Sequence, residues 1–255
     1  MVRTPNHLGC AETQAGSSRG GRGVGHTGAV VEIVQVNVGV PRVLADDGGE
    51  RVYSAIGKQP VPDGTVLWLS LANLAGDAQA DLSVHGGPDK AVYAYPSEHL
   101  PMWAEELDDH ELDDRIAGKD AGAPFGENLS TAGALEADVR IGDVWRWGDA
   151  LLQVCQPRWP CFKLALHRRR RDIQQRMRAN GRTGWYFRVL QPGEVVVGGP
   201  VEVVLRDPAG LTVTDAHLAM GDRHLDDRAR AEALAHHEAL AEEWSGPLRE
   251  RLAAR

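Results

Sequence analysis

From Ala29 to Val38 the chain reads AVVEIVQVNV, a β-branched run in which apolar and polar positions alternate. Alternation with a period of two marks a strand with one face in a core. Similar runs follow at Thr65 to Leu71 (TVLWLSL) and Ala91 to Tyr95 (AVYAY), and the series continues at Val139 to Trp147, Ala150 to Val154, Glu194 to Val197 and Pro200 to Arg206. Many short strands with Gly, Pro and Asp breaks and few helices between them predict an antiparallel barrel or closed sheet rather than βαβ repeats. Two helices interrupt the series. Leu100, Trp103, Ala104 and Leu107 recur at helical spacing within Ser97 to Leu107, with Ser97 as N-cap after Pro96. The second covers Arg169 to Ala179 and stops at Asn180-Gly181.

After Arg206 the strand pattern ends and Ala, His, Glu, Asp, Arg and Leu take over. Asp215 is placed to start a short helix and Asp226 a longer one through Trp244, with Leu234, His237, Ala241 and Trp244 on one stripe. Ser245-Gly246-Pro247 is expected to break and restart it. The organisation expected is therefore a disordered leader at 1–28, a mainly β (α+β) barrel domain at 29–206 with peripheral helices, and a small helical extension at 207–255.

Composition narrows the class. A chain of 255 residues with 42% hydrophobic content can bury a substantial core. A net charge of −8 disfavours a general nucleic-acid binder, which needs a cationic footprint. The exception, Arg168-Arg169-Arg170-Arg171, runs into a helical pattern and reads as a solvated helix face; the other reading is that one arginine reaches a ligand phosphate. Three cysteines without regular spacing point to a reducing compartment. No apolar run approaches the roughly 20 residues of a membrane span, and the N-terminus lacks the apolar core of a secretory signal. The expectation is a cytoplasmic protein with no membrane partner.

Four segments carry candidate chemistry. Gln156-Pro157-Arg158-Trp159-Pro160-Cys161 places a thiol at a strand end, stiffened by two prolines and close to a guanidinium that favours thiolate. Cys161 is thus a candidate metal ligand or nucleophile, against the reading of unpaired cysteine as a small buried hydrophobe, which suits Cys155 better. Val84-His85-Gly86-Gly87-Pro88-Asp89-Lys90 has the composition of an anion-binding corner: two glycines free to take positive φ, a proton carrier, an acceptor and a cation. An ordinary Gly-Pro turn is its alternative. Phe125 to Ser130 presents an acid and the Asn128 amide, and Ser54 to Lys58 a hydroxyl and a lysine. His236-His237-Glu238 matches no zinc-helix spacing and reads as surface.

In order along the chain, SAIGKQPV (54–61), NLAGDAQADLSVHGGPDKAVYAYPSEHLPMW (73–103), FGENLSTAGALEADVRIGDVWRWG (125–148), LQVCQPRWPCFKLA (152–165) and GWYFRVLQPGEVVVG (184–198) resemble the MOSC family, the domain type found at the C-terminus of molybdenum-cofactor sulfurases, and within it the YiiM-like branch. The resemblance covers about residues 30–206, and the tail is similar to the three-helix extension of that branch.

The resemblance implies a β-barrel that binds a molybdenum-pterin cofactor (molybdopterin), with Cys161 as protein ligand to the metal. It also implies an oxidoreductase that reduces N-hydroxylated compounds, such as hydroxylamino-purines and amidoximes, by two-electron removal of oxygen. His85 is then a candidate proton carrier. Lys58, Lys90 and Arg158 are candidates for the cofactor's charges, and Asn128 with the backbone of His85, Gly86 and Gly87 for directional hydrogen bonds. Lys163 points either into the same pocket or to solvent. The chain has no ferredoxin-like Cys pattern and no Rossmann glycine motif, so a separate electron-donor reductase is implied. A homodimer through the tail is left open. The alternatives are a sulfur carrier with a Cys161 persulfide, a non-catalytic cofactor-binding module, and a thiol hydrolase pairing Cys161 with His85, for which no acidic orienting partner is identifiable.

Overall fold

The computed structural model describes residues 31–47, 50–80, 86–108, 112, 122–198 and 200–254. Twelve strands and six helices are defined among them: β1 (Val31–Val38), β2 (Arg42–Asp47), β3 (Glu50–Ser54), β4 (Gln59–Pro60), β5 (Val66–Leu69), β6 (Val92–Pro96), α1 (His99–Leu107), β7 (Leu129–Ala132), β8 (Val144–Trp147), β9 (Ala150–Pro157), α2 (Phe162–Arg168), α3 (Ile173–Asn180), β10 (Trp185–Gln191), β11 (Gly193–Val196), β12 (Pro200–Leu205), α4 (Val213–Gly221), α5 (Arg228–Ala235) and α6 (Glu242–Ala253). Seven strands close a mixed barrel in the order β12-β8-β9-β10-β6-β7-β1, β1 returning to pair with β12, while β4 extends the far end of β1. The hairpins β2–β3 and β5–β11 stand beside it.

All barrel pairings are antiparallel except β6–β7. A parallel pair needs a long crossover, and the chain from Pro96 to Leu129, which carries α1, supplies it. The expected antiparallel barrel is therefore mixed at this seam. Trp145, Trp147, Trp185 and Phe187 fill the interior, with Trp145 5.8 Å from Trp185 and 5.0 Å from Phe187 between ring centres. The strand β6 is buried on both faces: Val92 and Ala94 belong to the barrel core, whereas Tyr93 and Tyr95 join Trp103, Leu107, Phe125, Leu164, Ile173 and Met177 in a second apolar cluster built with the three intervening helices. Two-sided burial is why AVYAY contains no charged residue.

Several boundaries differ from the sequence expectation. Residues 139–143 are not strand: β8 starts at Val144, after a turn at Gly142 (φ +94°). Ser97 does not cap α1; its hydroxyl donates to Thr131 O (2.8 Å), and Glu98 occupies the cap position without a side-chain capping bond, its carboxylate accepting from Gly133 N (2.6 Å) instead. The arginine run is no exposed helix face. It is the corner between α2 and α3, where Arg168 is buried, Arg169 closes α2 in the left-handed region (φ 52°) and Arg170 Nη1 donates to Leu107 O (2.8 Å).

In the tail, α4 is held by a reciprocal capping box between Thr212 and Asp215, and α5 is capped by Asp227. The longer helix expected from Asp226 to Trp244 is two helices, because residues after Ala235 leave the helical path. Ser245-Gly246-Pro247 lies inside α6, where packing of Trp244, Leu248 and Leu252 overrides the break. Val213, Ala216, Leu234, Trp244 and Leu248 belong to the same continuous apolar cluster as Val31, Trp145 and Leu152 of the barrel. His236 is exposed and His237 half-buried against Asp207 (3.2 Å). Among the described residues no helix is long and apolar enough to cross a membrane. The expected leader falls outside the described residues.

Candidate functional site

The segment 158–161 leaves the end of β9 and is fixed from both sides. Arg158 N donates to Gly184 O (3.2 Å), while Arg178 Nη2 (3.0 Å) and Gln174 Nε2 (3.4 Å) donate to Pro160 O. Gly184 can approach because it has no side chain: at φ +65° a Cβ there would sit 2.2 Å from Ala94 O. Cys161 follows in extended backbone (φ −102°, ψ 169°) as the N-cap residue of α2, and its side chain makes no capping bond. It is half-buried and faces a narrow cleft of about 100 Å³. Cys155 differs: it is fully buried, its Sγ lies 3.1 Å from Asp89 O, and burial pushes its thiol up, leaving a structural cysteine.

Among the described residues, four cationic ones line that cleft, Lys58, Lys90, Arg158 and Lys163, against one acidic residue, Asp77. In a chain of net charge −8, gathering cations in one concave site is a built anion-binding feature. Arg158 is buried, its guanidinium lies 4.7 Å over the Tyr93 ring, and Nη1 donates to Tyr93 Oη (3.1 Å) and Phe125 O (2.8 Å). Burial works against its charge, but Tyr93, Tyr186 and Cys161 around it work the other way and its pKa stays raised. Tyr93 and Tyr186 face each other across β6 and β10 with ring centres 5.0 Å apart. Burial pushes both phenols up against the opposing pull of Arg158, so each stays protonated at neutral pH.

Lys58 is buried and paired with Asp77. Burial lowers its pKa, partly offset by that carboxylate. Asp77 also accepts from Gly39 N (2.8 Å) and Asn128 Nδ2 (2.9 Å). Asn128 gives its other amide hydrogen to Asn37 O (3.2 Å) and accepts from Tyr93 N (3.1 Å). Both its N–H groups are thus committed within the protein, where they brace Asp77 and the Asn37 carbonyl. Glu127 is buried beneath the cleft wall, accepting from Phe125 N (3.0 Å) and Ser130 Oγ (3.2 Å), and burial raises its pKa.

The structure thus brings Lys58, Gly86, Lys90, Asn128, Arg158 and Cys161 to one cleft and settles Lys163 into the same wall. Gly86 (φ +103°) and Gly87 (φ +86°) use the conformational freedom expected of them, leading into a 3-10 turn at Pro88–Lys90. Lys90 Nζ reaches Glu243 of α6 (2.5 Å). His85 lies outside the described residues. Sequence reasoning missed Asp77, Tyr93 and Tyr186. The two tyrosines sit in AVYAY and GWYFRV, where aromatic residues read as core, and nothing local distinguishes the cleft-facing ring.

Among the described residues, no three His, Cys, Asp or Glu side chains gather as a metal-binding group.

Residues 81–202 match the MOSC domain. The protein YiiM of Escherichia coli (strain K12) is 43% identical over 174 residues, 68% of this chain and 74% of that one. A protein named "Reductase" from Gibberella moniliformis (strain M3125) is 37% identical over 176 residues, 68% of this chain but 29% of that longer one. The crystal structure of YiiM from Geobacillus stearothermophilus superposes with a TM-score of 0.67 at 32% identity, covering 87% of this chain and 99% of the other. With a shared fold and this extent of identity, the chain belongs to the MOSC domain family, in its YiiM-like branch.

Proposed function

We propose that this protein binds a molybdenum-pterin cofactor in the cationic cleft, with Cys161 as the protein's ligand to molybdenum, and reduces N-hydroxylated compounds. The observation that carries the reading is a half-buried thiol opening into the same cleft as Lys58, Lys90, Arg158 and Lys163. The donor set fits: a soft thiolate for the metal, and fixed cations for the cofactor's phosphate.

The bound cofactor supplies the two-electron redox chemistry. In the overall reaction, R–NHOH takes two electrons and two protons, the N–O bond breaks, and R–NH2 and water leave. The electrons come from a separate redox protein, as in the expectation of a donor reductase. Arg158, which cannot lose its proton at working pH, keeps a permanent charge beside Cys161 and favours its thiolate. Lys90 and Lys163, which line the cleft, would receive phosphate oxygens. Lys58 contributes less charge, since Asp77 neutralises it; together they shape the floor. The Tyr186 phenol remains an O–H donor at the cleft. His85, adjoining Gly86 in the chain, is the proposed proton carrier.

The test is molybdenum and pterin content of protein from a cofactor-competent host, wild type beside Cys161→Ser, with turnover of benzamidoxime by a reduced viologen dye. Near-stoichiometric molybdenum that disappears in the variant, with turnover lost alongside it, is the expected result. A wild type that binds no molybdenum but carries cyanide-labile sulfur on Cys161 overturns the reading in favour of a sulfur carrier.

A further inference from the structure

The arginine run 168–171 lies outside the cationic cleft, yet it belongs to the most basic stretch of the chain. From 158 to 182 the sequence carries nine Lys or Arg against one acid, Asp172, in a protein whose net charge is −8. Much of that charge is spent inside the fold. Arg158 lies over Tyr93, Arg168 is buried, Arg170 bonds Leu107 O, Arg178 bonds Pro160 O, and Arg182 pairs with Glu106 (2.6 Å). Arg169 and Arg171 differ: both are exposed, and their side chains make no hydrogen bond or ion pair among the described residues. Arg169 also closes α2 at φ 52°, a position where glycine is the usual residue.

Along α2, an apolar patch separates these arginines from the cleft. Phe162 and Leu166, one helical turn apart, are 55% and 37% exposed. Val43 and Tyr53, direct cross-strand partners on β2 and β3, are each 48% exposed. The two elements adjoin: α2 runs beside β2, and a Cβ on Gly57, just after β3, would lie 3.9 Å from His167 Cε1. Both also reach the cleft, since Cys161 and Lys163 at the start of α2 and Ser54 at the end of β3 line it. The hairpin's own acids, Asp46, Asp47 and Glu50, sit at its far tip. Beside the cleft there is thus a group of exposed aromatic and aliphatic side chains bordered by arginine, the composition of a protein interface with an apolar centre and a charged rim.

We propose that this face, with Val43, Tyr53, Phe162 and Leu166 at its centre and Arg169 and Arg171 at its rim, docks a small acidic redox protein that delivers electrons to the cleft. This rests on the reductase reading of the cleft. The charge distribution selects the partner. Outside 158–182 the chain is more acidic than its net charge of −8, so an acidic protein is repelled by the molecule as a whole and attracted at this corner. The encounter is thereby steered to the side on which the cleft is reached. The apolar centre favours a protein face over a bare phosphate backbone. Each turnover takes two electrons from the reduced partner and two protons from solvent; the N–O bond breaks, R–NH2 and water leave, and the partner is left oxidised.

The test drives benzamidoxime reduction by molybdenum-loaded protein with two acidic donors, a flavodoxin and a plant-type ferredoxin, and in parallel with reduced methyl viologen, which is small and cationic and needs no docking face. The variants are Arg169→Glu/Arg171→Glu and Tyr53→Ala. With at least one protein donor, kcat/KM for the donor is expected to fall about tenfold or more in the double variant and about threefold or more in Tyr53→Ala, while viologen-driven turnover and molybdenum content stay within about twofold. Raising the ionic strength from about 0.02 M to about 0.3 M should slow wild type with the protein donor and leave the double variant nearly flat. Equal losses with viologen, an unchanged donor KM or no response to salt overturn the proposal. So does a wild type that accepts electrons from viologen and from neither protein. If loaded wild type turns over nothing even with viologen, the reductase reading fails by itself. The face is then judged by calorimetry with both proteins: salt-sensitive binding weakened in the double variant supports it. No binding, binding unchanged in that variant, or binding of a DNA duplex in place of either protein refutes it.

Discussion

Asp77→Asn tests the cleft floor most directly. The Asp77 side chain is 1% exposed and that of Lys58 9%, and one carboxylate serves Lys58 Nζ, Gly39 N and Asn128 Nδ2 together. Asn keeps the shape and one acceptor oxygen, but with that oxygen toward Lys58 and Gly39 its NH2 meets the donor Asn128 Nδ2, and the lysine is left without its counter-charge. Breaking a buried pair by removing one partner costs about 3–5 kcal/mol, since the remaining charge is uncompensated. For a protein of this size each kcal/mol moves Tm by roughly 2–4 °C, so the expected fall is roughly 6–20 °C. Thermal and urea unfolding of the cofactor-free protein, followed by circular dichroism, measure it. The double replacement Lys58→Met/Asp77→Leu removes both charges but leaves Gly39 N and Asn128 Nδ2 without their acceptor, so it should recover only part of the loss. A loss below about 1 kcal/mol in Asp77→Asn, the range of exposed pairs, would refute the assignment of a structural role to this pair.

Other perturbations probe the surrounding frame. His217 Nε2 donates to Arg178 O (2.8 Å), its Nδ1 has no partner among the described residues, and burial holds its pKa below the ordinary 6.5. The folded state then binds fewer protons than the unfolded one. Its contribution is fully present above pH 6.5 and is lost as pH falls through the depressed folded value, so Tm should drop on acidification from about pH 7 to 5 and drop less in His217→Asn. Parallel curves would sink the argument. Gly126→Ala places a Cβ 2.5 Å from Ile56 Cγ1 at φ +78°, which should cost about 1–3 kcal/mol in urea unfolding and push Ile56 into the cationic cleft; an unchanged midpoint would show that the wall yields freely.

The barrel was legible because its strands bury one face and therefore alternate, and because their breaks are Gly, Pro and Asp. The strands missed are those where alternation fails. β7 (LSTA) is too short and polar to stand out, and β10 (WYFRVLQ) hides its period behind aromatic residues that fill both faces. The arginine corner was misread because Arg168 is buried and Arg170 bonds a carbonyl of α1, neither of which local spacing reveals. Cys161 and its cations were legible through the stiff QPRWPC segment and the glycine pair. The Lys58–Asp77–Asn128 brace was not, since those three residues span 70 positions and meet only when the barrel closes.

That closure also dictates when the protein becomes a protein. β1 is the first barrel strand to leave the ribosome, and it waits for β7 and then for β12, whose Val201 partners Val31 at a distance of 170 residues. At translation rates of about 5–20 residues per second, β1 spends roughly 9–34 s with at least one hydrogen-bonding edge unmated. It is a β-branched strand, the kind that pairs readily with a neighbouring nascent chain. Glu32, projecting from an otherwise sticky segment next to the closing seam, is the charge that guards this edge during synthesis.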